Sequence, residues 1–242
     1  MEWSASARII AVRPHGETSA IIEVLTHDHG RHAGLVKGGR SRSLRAVLQA
    51  GNRVRVTWRA RLHDHLGQFQ VEPEELSAGF IMDDPLALSG LNAACVMSIL
   101  CLPEREPHPA VTDTFEVFID ALSDVEIWPA LYVRWEAGLL SDLGYGLDLR
   151  HCAATGVVDD LIYVSPKSGR AVCAEAGKPY HDRMLALPGF LKGQADLKPG
   201  DIEAGLKLTG HFLERRVLWP VDRALPDARQ TLIERLKAQN YL

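Results

Sequence analysis

The sequence predicts an α+β chain in which a small closed β-barrel precedes a mostly helical part, and three observations carry that expectation. The apolar period is two over roughly the first 75 residues and about 3.6 beyond Pro73. Turn-forming residues cut the first stretch into five short segments. The charge also changes sign at this point: residues 1–71 hold 11 Lys/Arg against 5 Asp/Glu, and residues 72–242 hold 16 against 26.

Strands are expected at 5–13, 19–26, 32–37, 53–59 and about 69–72, the last ending before Pro73. The breaks between the first three come at His15, Gly16 and Glu17, then at His27, Asp28, His29 and Gly30. In the fourth strand Val54, Val56 and Trp58 alternate with Arg53, Arg55 and Arg59, so one face is apolar and the other cationic. Closing five such strands into a barrel leaves no exposed edge strand. A helix over 84–102 follows a cap at Asp83 or Asp84 and carries Leu86, Leu91, Val96 and Ile99 on its apolar surface. Further helices are expected at 110–123 and 127–142, the latter stopped by Gly144, Tyr145 and Gly146. Residues 147–180 lose the helical period and gain Gly156, Pro166, Gly169, Gly177 and Pro179, which reads as a small irregular insert. Helices at 182–192, 200–217 and 226–238 finish the chain, with Pro220 and Pro226 fencing the last connection.

The composition excludes several classes. Hydrophobic content of 46% and charged content of 24% belong to a globular chain. No apolar run approaches the ~20 residues needed to cross a bilayer, and the residues after Met1 lack the apolar stretch of a secretion signal, so a cytoplasmic protein is expected. Cys95, Cys101, Cys152 and Cys173 are too few for a disulfide framework in 242 residues.

Between His29 and His63 the chain carries nine cations and no carboxylate. In a chain of formal charge -4 that segregation calls for an anionic partner. Lys37, Gly38, Gly39, Arg40, Ser41, Arg42 and Arg45 form a loop whose glycines free the backbone and whose side chains suit successive phosphates. With the strand residues Arg53, Arg55, Arg59 and Arg61, residues Lys37, Arg40, Arg42 and Arg45 make the expected DNA-binding set, loop and strand lying side by side on one barrel. Trp58, Phe69 and His63 are candidates to stack on bases, but Trp58 shares its phase with Val54 and Val56 and is expected in the core. The GxxxxGK(S/T) nucleotide loop is absent. The histidine groups at 27–32 and 63–65 fall in turns without converging acids, and no nucleophile, base and acid order is apparent. A metal-dependent nuclease is disfavoured by the scarcity of carboxylates in the basic lobe.

Certain motifs carry a family resemblance: residues 12–19 (VRPHGETS), 25–30 (LTHDHG), 35–40 (LVKGGR) and 48–51 (LQAG), then 139–145 (LLSDLGY), 163–169 (YVSPKSG) and Leu218. In their order and spacing the chain resembles the RecO family of bacterial recombination mediator and repair proteins over nearly its full length. The resemblance implies an OB-fold barrel at 1–78, an α-helical domain at 79–148 and 181–242, and a zinc-finger-like insert at 149–180. It implies no catalysis and no cofactor. The implied activities are binding of single- and double-stranded DNA, annealing of complementary strands, and help in loading RecA on gaps covered by single-strand-binding protein. RecR and the acidic C-terminal tail of single-strand-binding protein are the implied partners. Arg134, Arg150, Arg215, Arg216 and Arg223 are the candidate receptors for such a tail. An adaptor whose main ligand is the acidic tail is the alternative.

Structural zinc needs four Cys or His ligands in paired knuckles. Cys152 and Cys173 occupy the first position of each, but Thr155 and Ala176 stand at the +3 positions, and His151 and His181 are out of pattern. The insert is therefore expected to be metal-free.

Overall fold

The computed structural model describes residues 1–242 and divides into two compact units, Met1–Asp124 and Val125–Leu242. The first opens with β1 (Glu2–His15), β2 (Ser19–Thr26) and β3 (Gly30–Val36), continues through a single-turn helix α1 (Arg42–Arg45), and completes its strands with β4 (Arg53–Arg59) and β5 (Gln68–Glu75). These five close into a barrel of order β1-β2-β3-β5-β4, antiparallel except at the β3–β5 seam. β1 is long enough to serve two neighbours: residues 2–8 pair with β4 and residues 8–15 with β2. An irregularity between Ile9 and Ala11 lets the strand turn from one partner to the other. β5 also runs past its expected end, through Pro73 to Glu75. A register shift at Arg53 and Val54 accommodates the missing proline N–H there.

The alternation seen in the sequence sorts the barrel as expected. Ile9, Ile22, Val24, Val54, Val56, Trp58 and Phe69 fill its interior, while Arg55 and Arg59 stay outside. Three helices complete the unit: α2 (Ala78–Met82), α3 (Pro85–Cys101) and α4 (Pro109–Asp120). Asp84 caps α3, accepting from the N–H of Leu86 at 2.8 Å and Ala87 at 3.3 Å, with Pro85 in the first turn where no donor is needed. Arg8 ties barrel to helix. Its fully buried guanidinium donates to Glu116, to Asp120 at 3.1 Å and to the Gly51 carbonyl at 2.9 Å. The compact units thus group residues 79–124 with the strands, across the division expected at 78.

In the second unit, α5 (Trp128–Leu140) leads to a small sheet of β6 (Leu161–Val164), β7 (Ala171–Cys173) and, after the single-turn α6 (Ala174–Gly177), β8 (Leu185–Ala186), in the order β7-β6-β8. Two long helices follow, α7 (Asp201–Phe212) and α8 (Asp227–Ala238). The helix expected at 182–192 does not form. Leu185 and Ala186 instead pair with Val164 and Tyr163 as β8, and Pro188 separates that strand from a 3-10 turn at Gly189–Lys192. The helix expected at 200–217 is α-helical only to Phe212, and a wider turn carries Leu213–Leu218. Trp128, Tyr132, Trp135, Leu206, Phe212 and Leu232 form the apolar interior. Within it the Glu136 carboxylate accepts from Arg229 at 2.7 and 2.9 Å and from the Thr209 hydroxyl at 2.5 Å.

Candidate nucleic-acid interface

A groove of about 850 Å³ lies on the outside of the barrel. Its floor is the outward row of β4 and β5, where antiparallel pairing sets Thr57 beside Gln70 and Arg59 beside Gln68. Its walls are the end of β3 with Lys37, Leu44 of α1, and the β4–β5 loop with Arg61, His65 and Leu66. Lys37, Arg59 and Arg61 thus face one cleft with amide and hydroxyl side chains between them. That arrangement fits a phosphate backbone running past exposed base edges.

The other predicted residues separate. Arg40 and Arg45 line a smaller hollow of about 430 Å³ with Pro14 and Gln49, and Arg42 and Arg45 border another beside α2. Lys37, Arg42, Arg45 and Arg61 are exposed and make no ion pair. The Arg40 side chain makes no ion pair and donates to the Gly16 carbonyl at 2.9 Å. These five are the uncompensated cations of the barrel.

Arg53, Arg55 and Arg59, by contrast, each meet a carboxylate. Arg59 meets Glu2 at 2.8 Å and Arg55 meets Glu74 at 2.9 Å. Arg53 reaches Glu75 at 3.2 Å, Glu116 at 2.6 Å and Asp120 at 3.4 Å. The carboxylates come from outside the acid-free stretch: β1 and β5 flank β4 in the sheet, and α4 delivers the last two. The Arg59 hydrogen bond holds the Glu2 carboxyl below its ordinary range. Burial alone would raise Glu116, but Arg8 and Arg53 outweigh it and keep the carboxyl low. Arg55 and Arg59 remain exposed and can exchange carboxylate for phosphate, whereas Arg53, with its side chain only 30% exposed, is committed to its acids.

The stacking candidates also separate. Trp58 and Phe69 are buried at 1% and 3% exposure. The indole N–H of Trp58 donates to the Leu66 carbonyl at 3.0 Å. Gly67, at φ 68°, passes directly over that ring, where any Cβ would collide. His63 stays exposed in the loop. Thr57, Gln68 and Gln70 were absent from the sequence-derived set, yet the alternation of Gln68 and Gln70 with Phe69 and Val71 signals an outward polar row.

In the insert, the backbone N–H of Cys173 donates to Cys152 Sγ at 3.3 Å, and the Thr155 hydroxyl lies 3.7 Å from Cys173 Sγ. Burial pushes the Cys152 thiol up, but the Thr155 hydroxyl and the backbone N–H groups of Cys173, Ala154 and Thr155 bring it down to about 6. His181 turns to Asp182 at 2.8 Å, and no three His, Cys, Asp or Glu side chains converge in the chain. Two thiols do not fit a tetrahedral structural zinc site.

The five candidate partner residues have different settings. Arg134 donates to the Phe190 carbonyl at 2.9 Å, and Arg150 approaches Asp148 at 3.6 Å. Arg216 lies over Phe212 at 4.5 Å and reaches the Tyr145 and Lys167 carbonyls at 3.4 Å. Arg215 sits over the half-exposed Trp219 ring at 5.3 Å, and the Arg223 N–H bonds the Leu218 carbonyl at 3.0 Å.

A five-stranded barrel closed in this order, with a short helix between β3 and β4, is an OB-fold, the class of small barrels that binds oligonucleotides and oligosaccharides. Residues 1–75 match the family model described as Recombination protein O N terminal, and residues 82–223 match Recombination protein O C terminal. The chain belongs to that family. It is 54% identical over 243 residues to a protein of Phenylobacterium zucineum named DNA repair protein RecO, covering 100% of both chains. It is 52% identical to a protein of the same name from Caulobacter vibrioides over 243 residues, again 100% of both, and 53% identical to one from Agrobacterium fabrum over 91% of this chain and 87% of the relative.

Proposed function

We propose that this chain acts in DNA repair and recombination by binding single- and double-stranded DNA on its barrel and annealing complementary strands. The supporting observation is the set of uncompensated cations Lys37, Arg40, Arg42, Arg45 and Arg61 on a barrel whose other arginines are largely paired. Cations beside two phosphate backbones lower their mutual repulsion, so complementary strands approach without nucleotide hydrolysis. The reading assigns no catalytic step. Help in loading RecA on gaps covered by single-strand-binding protein, with RecR as a partner, completes the proposed role.

Measuring DNA affinity against salt tests this reading. Contacts made mostly to phosphate predict a steep linear fall of log affinity with log salt and little dependence on sequence. The double variant Lys37→Ala/Arg61→Ala is expected to flatten that slope by about two units. Undiminished binding in the variant at low salt would remove the groove from the interface.

A second reading concerns the other unit. Arg215 over the exposed Trp219 ring presents a cation and an apolar face together, which suits an acidic peptide such as the tail of single-strand-binding protein. A tail-mimicking peptide that binds wild type but not Trp219→Ala, and that leaves DNA affinity unchanged, supports separate surfaces. Competition between peptide and DNA favours the adaptor reading, in which the basic barrel itself takes the acidic tail.

A further inference from the structure

Arg105 lies in the connection between α3 and α4, outside the barrel strands, yet its side chain ends on the β4–β5 loop that walls the groove. Its backbone is fixed first. The residue sits at φ 64°, a left-handed conformation that a non-glycine residue keeps only where its surroundings hold it. Its N–H donates to the Arg31 carbonyl at 2.7 Å, and Glu104 forms a bridge with Arg31 at the start of β3. Gly30 has no side chain at the point where the Glu106 carbonyl presses on it.

From this anchored position the guanidinium reaches the β4–β5 loop. It donates to the His63 carbonyl and, at 2.7 Å, to the His65 carbonyl, while its carbon centre stands 5.8 Å from the Trp58 ring centroid. Trp58 holds the next carbonyl, Leu66, from the barrel side. Three backbone acceptors of one exposed loop are thus satisfied by two side chains from elsewhere. That loop supplies Arg61, His65, Leu66 and Gly67 to the groove. A loop without secondary structure or such anchors belongs to the least stable part of a domain.

We infer that Arg105 is a positioning residue for the groove: by clamping residues 60–67 it keeps Arg61 on the same path as Lys37. This role rests on the DNA-binding reading proposed above. The two acceptors need a planar fork of donors, which a lysine ammonium does not offer.

The test uses the full chain with Arg105→Ala, Arg105→Lys, Arg61→Ala and the double variant Arg61→Ala/Arg105→Ala. Hydrogen exchange without DNA is read over residues 60–67, and binding of a single-stranded oligonucleotide is read against salt. Arg105→Ala is expected to speed exchange in the loop by roughly an order of magnitude. It is also expected to weaken binding roughly tenfold at 100 mM salt, with the slope lowered by about one unit, as for loss of one phosphate contact. Arg61→Ala should match that loss, and the double variant should bind no more weakly than either single, because both remove the same contact. Arg105→Lys, whose ammonium can hold one of the two carbonyls but not both, should recover only part of the affinity, and it carries both readouts if the alanine variant does not fold. Unchanged loop exchange, or losses that add in full with Arg61→Ala, would overturn the inference. Absence of DNA binding by wild type at low salt would sink the DNA reading and this role with it, leaving faster loop exchange in Arg105→Ala as the mark of a packing clamp alone.

Discussion

Arg8 and Arg229 are cations that a tally of charge counts toward a binding field and the fold uses internally. Both are buried with carboxylates, Arg8 against Glu116 and Asp120, Arg229 against Glu136. Arg229→Met strands the Glu136 charge in an apolar interior and is expected to lower stability by about 3–5 kcal/mol, read from urea unfolding. His32 is a third internal polar group, enclosed at 3% exposure by Trp3, Trp58 and Phe69. Burial pushes its pKa down from the ordinary 6.5 to about 4. Between those values the unfolded chain binds the proton and the folded one does not, so stability is full above about pH 6.5 and falls as the pH drops toward 4. His32→Phe should flatten the pH dependence of the melting temperature over that window, and an unaltered slope would contradict the assignment. Trp58 was legible in advance because it keeps the phase of Val54 and Val56. Arg8 was not, since nothing in an arginine's own neighbourhood announces a partner more than a hundred residues away.

The same contrast holds for segments. Strands β2 and β4 and helices α3, α4 and α5 are long, strongly periodic stretches bounded by turn or cap residues, and the sequence locates them to within a few residues. The segment at 182–192 misled because Met184, Leu187 and Leu191 keep a helical spacing of three and four. Pairing of β8 with β6 decided the matter, a long-range contact that outweighs local preference. In the insert, the knuckle positions Thr155 and Ala176 were readable one by one, and the expected consequence can be measured. Purified protein should carry no stoichiometric zinc, and a chelator should leave the melting temperature unchanged. One zinc per chain by elemental analysis would contradict this. Thr155→Ala should raise the Cys152 thiol pKa from about 6, read as slower thiol alkylation at neutral pH.

Across the chain, the formal charge of -4 conceals a basic stretch, and that stretch is itself heterogeneous once folded. Arg53→Ala is expected to cost about 1–3 kcal/mol of stability, because it leaves Glu116 and Asp120 with fewer partners, while changing the salt slope of DNA binding little. Arg42→Ala/Arg45→Ala is expected to do the reverse, flattening the slope by up to about two units with melting unchanged. If Arg53→Ala flattens the slope as much per cation removed as the double variant does, the distinction between paired and unpaired cations fails.

The sequence by itself determined the strand-rich and helical halves, the interior of each strand and the residues available to attract an anion. Those properties depend on periodicity and side-chain type, which are local. Only the tertiary structure decided which of the nine cations remain uncompensated. The carboxylates that quench Arg53, Arg55 and Arg59 arrive from β1, β5 and α4 by strand register and helix docking, and an ion pair at about 3 Å is set by distance in space, whatever the separation along the chain.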